Sequence, residues 1–269
     1  MSLGPAGVRG SLGAGLETLG GVLRSIGIYH LRREARARRA PMDRLYSGFL
    51  RPGDLAFDIG SHVGDRVASF RRLRARVVAV EPQPALLATL RLIFGRDPGV
   101  VIEACAQGAT AGEATLHLNP RNPTVSTLSP ALIAAAPDSA AWREQRWTGA
   151  EQVQVATLDQ LIARHGRPRF IKIDVEDLED QVLGGLSAPV PALSFELTTL
   201  QRQVAQQALS RCLGLGYARF TASLGESQRL IHGPDPDTWT DGDGIARWLE
   251  ALPEAANSGD IYAAHPLQR

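Results

Sequence analysis

Two cysteines, Cys105 and Cys212, are all that the 269 residues contain. They lie far apart without the close spacing of a metal knuckle, so neither a disulfide framework nor a cysteine-held metal organises the chain. No apolar run approaches the roughly 20 residues of a membrane-spanning helix. The first residues show no charged start followed by a continuous apolar stretch, because glycine and glutamate interrupt it, so no secretory leader is expected. The formal net charge is only +1, which excludes bulk attraction to nucleic acid or an acidic membrane. These absences predict a soluble, cytoplasmic protein whose partners include neither nucleic acid nor a membrane span.

What is present is ordinary globular material, 44% hydrophobic and 21% charged. The length permits one large α/β domain or two small ones. Residues 1–20 are rich in glycine and alanine and are expected to be disordered at the start. Leu16–Leu50 reads as one or two helices. Six arginines lie between Arg24 and Arg39. No aromatic residue interleaves Arg32–Arg39 as a stacking platform for bases would require, so the stretch reads as a solvated or packing helix face.

A regular alternation follows. Leu55–Ile59, Val77–Val80 and Val100–Ala104 read as strands, with helices at Val63–Leu73 and Ala85–Phe94 between them. Such spacing means crossover units and a parallel sheet. The pattern breaks over 108–157, where Ala114–Leu118 and Gln152–Ala156 alternate like half-buried strands around an Asn/Pro/Ser/Thr-rich loop and a weakly helical stretch. It then resumes with helix Leu158–Arg164, strand Phe170–Val175, helix Leu178–Leu186, strand Leu193–Leu197 and helix Leu200–Leu213. Ala218–Thr221 and Arg229–Ile231 are expected to close the sheet as an antiparallel pair, before a last helix at Asp243–Leu252.

The first strand ends in Asp58-Ile59-Gly60, and Gly64 heads the next helix. In doubly wound folds ligands bind outside the carboxyl ends of strands, and a glycine there lets backbone and ligand approach. Glu81 ends the second strand about twenty residues on, placed to accept hydrogen bonds from ribose hydroxyls. A pyrophosphate fingerprint would need glycine where His62 stands, so a phosphate-free nucleoside cofactor fits better than a dinucleotide. His62 itself reads as a spacer or cofactor neighbour. Cys105, inside an apolar run, reads as a small core residue.

The fourth parallel strand ends in Lys172-Ile173-Asp174-Val175-Glu176, with Asp177, Glu179 and Asp180 behind. Clustered acids repel, which raises the pKa of one toward a useful value for a base. Asp174 and Glu176 are the candidate catalytic residues, and Glu196 at the tip of the next strand shares their face. Asp177 and Asp180 read as solvated acids at a helix start, and Lys172 as an ion-pair partner.

FDIGSHVGD (Phe57–Asp65), VVAVEPQP (Val77–Pro84), VSTL (Val125–Leu128), ATLDQL (Ala156–Leu161), FIKIDVEDLEDQVLGGL (Phe170–Leu186) and SFEL (Ser194–Leu197) together resemble an FkbM-type methyltransferase. Gly259–Ala263 is similar to a late segment of that family. The resemblance covers Gly53–Leu197 well and the rest loosely. It implies a Rossmann-like class I fold: a mostly parallel seven-stranded sheet with helices on both faces, an N-terminal helical extension (1–50), and one methyltransferase domain (51–269). A β-containing insertion is expected between the third and fourth strands. It implies S-adenosylmethionine as methyl donor and O-methylation of a sugar, polyketide or other small or glycan acceptor. By motif position Asp58, Gly60, Gly64 and Glu81 contact the cofactor, and neighbouring Ser61, His62, Pro82, Cys105 and Ala106, with Asp174, complete that site. Ser126, Thr127 and Glu196 are placed at the acceptor. No metal is expected, and oligomeric state stays open. Asp177 departs from the family, which has glycine there (D-V-E-G), and Ser61-His62 replaces a turn often built from alanine or asparagine. A non-catalytic scaffold and a nicotinamide-dependent oxidoreductase remain as alternatives.

Overall fold

The computed structural model describes residues 5–266, with side chains from residue 15 onward. Two N-terminal helices, α1 (Pro5–Ile26) and α2 (Arg33–Tyr46), are joined by a π-helical turn at Gly27–Leu31. The disorder expected at the start of residues 1–20 falls in part on residues 1–4, which lie outside the described residues; from Pro5 onward the chain is helical instead, in α1. Strand and helix then alternate through β1 (Leu55–Ile59), α3 (Asp65–Arg72), β2 (Arg76–Val80), α4 (Pro84–Phe94) and β3 (Val100–Glu103). The insertion holds β4 (Ala106–Gln107), β5 (Gly112–Leu118), the short helix α5 (Pro130–Ala135) and β6 (Gly149–Ala156). After it come α6 (Leu158–His165), β7 (Phe170–Ile173), α7 (Glu179–Gly184), β8 (Ala192–Thr198), α8 (Arg202–Gly214), β9 (Arg219–Leu224), α9 (Gly242–Ala251) and β10 (Ser258–Ala264).

The main sheet has seven strands in the order β3-β2-β1-β7-β8-β10-β9. Neighbours pair in parallel except β10, which runs antiparallel to both β8 and β9. The order reverses at β1, whose outward crossovers lead to β2 and whose other side receives β7. A crevice therefore opens above the tips of β1 and β7, where ligands bind in such sheets. The expected closing pair with Arg229–Ile231 is replaced. Ser258–Ala264 fills that place, and Ile231 donates a single backbone hydrogen bond to Ala222. Gly259 makes this possible, because a Cβ there would press on the carbonyl of Ser223 in β9.

Residues along each strand face two cores in turn, the period-two signature of a strand covered on both sides. Phe57, Ile171 and Phe195 meet Leu161, Val182, Leu209 and Ile245 from α6 to α9. Ala56, Val77 and Phe170 meet Tyr46, Phe70 and Leu90 from α2, α3 and α4. Phe49, just after α2, stacks on Phe170 at 4.7 Å and on Tyr262 at 5.7 Å. Such ring pairs add about 0.5–1.5 kcal/mol each beyond area burial, and they fasten the N-terminal helices to the central strands. The insertion forms its own three-stranded sheet, β4-β6-β5. A capping box in which Thr157 and Gln160 satisfy each other's backbone amides starts α6 and returns the chain to the alternation. No helix among the described residues is long and apolar enough to cross a membrane.

Candidate active site

The β1–α3 turn folds back on itself through left-handed backbone at Gly60, His62 and Gly64 (φ 79°, 50° and 82°). Gly60 is fixed by its surroundings. A Cβ there would overlap the carbonyl of Asp174, because the β7 tip crosses directly against it. The amides of Gly60 and Ser61 both donate to the Val80 carbonyl at 3.0 Å, and the Asp174 amide donates to Ile59 at 3.0 Å. The tips of β1, β2 and β7 are thus tied to one another before any side chain acts. Gly64 stands outside the cavity wall and packs against Leu90 and Phe94.

Above these tips lies a cavity of about 340 Å³, within the usual range for a small-ligand site. Its floor is acidic. Asp58 is 1% exposed, and neither carboxylate oxygen has a hydrogen-bond partner. Burial pushes its pKa up to about 6. Glu81 accepts the amides of His62 and Gln83 at 2.9 Å each, so the acid at the β2 tip also shapes the turn. Burial raises its pKa to about 7 against those bonds. His62 is held neutral, with burial lowering its pKa to about 4, and Tyr29 from the π-helical turn stands edge-on to it at 5.1 Å.

The second group of acids sits at the β7 and β8 tips. Asp174, Glu176 and Glu196 bring one carboxylate oxygen each to within 4.8 Å of one another. Burial works against ionisation of Asp174, but the buried Lys172 ammonium forms an ion pair with it and holds its pKa below the usual carboxylate range. Lys172 is the only lysine in the chain. Glu176 and Glu196 have no such partner, and burial followed by the Asp174 charge pushes both well up. Two environments a few ångströms apart therefore pull the pKa of one acid down and push those of the other two up.

The insertion and N-terminal helices roof this floor. Thr127 Oγ1 donates to the Glu176 carbonyl at 2.6 Å, and Trp147 donates to Val125 at 2.7 Å. Gln83 donates to Pro123 at 3.0 Å, and His30 bonds the Val63 carbonyl at 2.8 Å. Asp177 adopts the left-handed conformation that suits glycine (φ 81°). It is stabilised by accepting a hydrogen bond from Ser129 Oγ at 2.9 Å, and Ser129 also caps α5. The acid that departs from the family pattern is therefore a strut between the β7 loop and the insertion, buried instead of solvated.

Of the residues singled out in the sequence, Asp58, Gly60, Ser61, His62, Glu81, Pro82, Cys105, Ala106, Ser126, Asp174, Glu176 and Glu196 all line this cavity. Thr127 does not; it is fully buried behind the wall. Tyr29, Arg66, Trp142 and Glu226 line the cavity as well and carried no sequence signal. Arg66 grips both Glu226 oxygens at 3.1 Å and Asp65 at 2.5 Å, closing the crevice from the C-terminal side. Only Arg66, at the head of α3 beside the motif, lay close enough in sequence to be suspected.

These buried acids set the pH dependence of stability. Asp58 and Asp260 titrate near 6, Glu81 near 7 and Glu179 near 8, each raised by burial. In the unfolded chain they titrate near 4. Between those values the folded state binds more protons, so stability falls as pH rises from about 4 to 8. His62 opposes this below its unfolded value but is one group against several. Thermal denaturation of the ligand-free protein is expected to show Tm higher at pH 5.5 than at pH 8 by about 5–10 °C. A Tm that instead climbs across that range would contradict the assignment of uncompensated buried acids.

Strand order, the single antiparallel strand and a crevice at the β1/β7 switch point define a Rossmann-like class I methyltransferase fold. Residues 58–212 match the family described as the methyltransferase FkbM domain. That match spans more than half of the chain, and the protein belongs to this family. S-adenosylmethionine is its cofactor, and the oxidoreductase alternative is set aside. Comparison with curated proteins finds no match. Among solved structures the chain is similar to precorrin-6y C5,15-methyltransferase from Geobacter metallireducens (12% identity, 88% of this chain and 90% of that one, TM-score 0.42). It is also similar to a TehB-like S-adenosylmethionine-dependent methyltransferase from Corynebacterium glutamicum (10%, 84% and 87%, 0.40). A third similar structure is Aeropyrum pernix fibrillarin with natively bound S-adenosylmethionine (8%, 80% and 67%, 0.40).

Proposed function

We propose that this methyltransferase transfers its methyl group to a hydroxyl oxygen of a small-molecule or glycan acceptor, with 51–269 as the catalytic domain and 1–50 as an N-terminal extension whose Tyr29 and His30 meet the cofactor turn. The observation that carries the reading is the juxtaposition of two acid groups in one cavity. Asp58 and Glu81 stand beside the glycine turn, and Asp174, Glu176 and Glu196 stand across the crevice.

The residues fit the cofactor. The orphaned Asp58 carboxylate suits an ammonium group, and each Glu81 oxygen keeps a lone pair for a ribose hydroxyl after accepting its backbone amide. Cys105, Ala106, Leu116 and Val125 supply apolar wall for a flat base. When bound, S-adenosylmethionine supplies a methyl group on a positively charged sulfur. Asp174, kept ionised by Lys172, accepts a hydrogen bond from the acceptor hydroxyl and fixes its direction. Glu176 takes the hydroxyl proton, since a cation brought into the cavity favours its ionised form while burial keeps it a strong base. Ser126 and Glu196 flank the acceptor. Asp177, which motivated the scaffold alternative, lies behind the cavity wall, and this supports a pocket open to an acceptor.

Calorimetry with S-adenosylmethionine and S-adenosylhomocysteine tests the cofactor half, and no heat for either at millimolar concentration would sink it. Methyl transfer from labelled cofactor to a panel of sugar and polyketide hydroxyls, against matched amines, tests the acceptor half. Transfer confined to amines would overturn O-methylation.

A further inference from the structure

We propose that Asp174, Glu176 and Glu196 form a binding site for one divalent cation of the hard, oxygen-seeking kind, against the metal-free site that the sequence alone led us to expect. Three observations carry it.

The first is geometry. One oxygen from each carboxylate lies within 4.8 Å of the others. Ligand oxygens around magnesium or calcium stand about 2.0–2.6 Å from the ion. A cation at the centre therefore reaches all three with side-chain movements on the order of an ångström or less. The residues come from the tip of β7, the loop after it and the end of β8; the Asp174 amide is bonded to Ile59 in β1, and Glu196 pairs with Asp260 in β10.

The second is the lack of any other partner. Glu176 is only 6% exposed, and none of the described residues donates a hydrogen bond to its carboxylate. The Glu196 Oε2 atom is buried without a partner. Asp174 and Glu196 approach within hydrogen-bond reach of each other, a contact that two carboxylates tolerate only with a proton or another cation between them. Buried carboxylates left this way are costly, and proteins normally pair them or use them to bind metals.

The third is charge. Ionised, the three acids carry −3, and Lys172 beside Asp174 returns +1, which leaves −2. The Asp58 and Asp260 side chains lie near enough to Asp174 to feel its charge. Arg66, the other nearby cation, is spent on Asp65 and Glu226. A divalent ion neutralises the remainder. Lys172 occupies one oxygen of Asp174 and leaves the other for the ion, so with the ion bound the acceptor is oriented through the ion instead of by a direct hydrogen bond to Asp174, and Glu176 keeps its second oxygen for the hydroxyl proton.

Three protein oxygens leave an octahedral ion with open positions toward the cavity, where the acceptor binds in the methyl-transfer reading. Two adjacent oxygens of one acceptor fill them best, so the site favours vicinal diols and hydroxy acids over lone hydroxyls. This acceptor preference rests on the methyl-transfer reading above, whereas the metal site does not.

The test uses Mn²⁺ alone, with the full-length protein freed of metal and without cofactor. Electron paramagnetic resonance should count one bound Mn²⁺ per chain with Kd below about 1 mM, and Mg²⁺ should compete it away. Glu176→Gln and Glu196→Gln should each weaken binding at least tenfold. Both variants should fold, since each removes a repelled buried charge, and an apo Tm equal to or above wild type checks this. Absence of Mn²⁺ binding at millimolar concentration overturns the proposal, as does binding unchanged in both variants. Cofactor calorimetry in chelator separates the two readings. Cofactor binding without Mn²⁺ binding removes the metal alone, and Mn²⁺ binding without cofactor binding removes the methyl-transfer reading alone.

Discussion

Gly60→Ala is expected to abolish cofactor binding and to destabilise the protein by about 3 kcal/mol or more. Two costs add. An L-residue with φ near 79° loses roughly 1–2 kcal/mol relative to glycine. The new methyl would also overlap the Asp174 carbonyl, and that carbonyl cannot retreat cheaply, because the Asp174 amide is bonded to Ile59 in the neighbouring strand. Relief requires parting β1 from β7, which displaces Asp58 and Asp174 together. Urea denaturation reads the first effect and calorimetry with S-adenosylhomocysteine the second. A variant that binds cofactor like wild type would show that the turn is not the cofactor seat.

Asp174→Asn is expected to lower turnover by on the order of 100-fold or more, while cofactor affinity changes only a few-fold. The amide keeps the shape of the side chain but loses the charge that orients the acceptor. It also strands the Lys172 ammonium, and an unpaired buried charge costs about 3–5 kcal/mol. Stability and chemistry are therefore confounded in the single variant. The double variant Lys172→Met/Asp174→Asn separates them. Removing both partners should restore Tm without restoring turnover. Recovery of turnover in the double variant would mean that Asp174 serves only to hold Lys172.

The part of the fold from β1 to α4 was legible because glycine and proline bound short apolar runs there, and the pattern switches cleanly between periods. β10 was not. As an interior strand it is buried along most of its length, so it shows no alternation, and Gly259 and Asp260 dilute its apolar signal. Arg229–Ile231 looked more strand-like than it is. The strand-tip acids Asp58, Glu81 and Asp174 could be placed because strand order follows from the alternation, and strand order puts those tips together. Tyr29, Trp142 and Glu226 could not, since nothing local marks them. Glu226 meets Arg66 from 160 positions away. Asp177 shows a third case. Its departure from the family was visible, but its use as a strut required knowing that Ser129 comes to lie beside it.

The chain carries 28 arginines and one lysine, and that lysine is 3% exposed inside the cavity. Every other cationic side chain of the Lys/Arg type is a guanidinium that stays charged at all working pH values. Enzymatic acetylation of lysine therefore has no surface target here and cannot tune the outer charge. The same scarcity turns Lys172 into a reporter. An amine-selective acylating reagent has one ε-amino group to find, paired and sheltered while the site is closed. Its modification, read as a single mass shift on the peptide around residue 172, would time the opening of the crevice without any engineered probe.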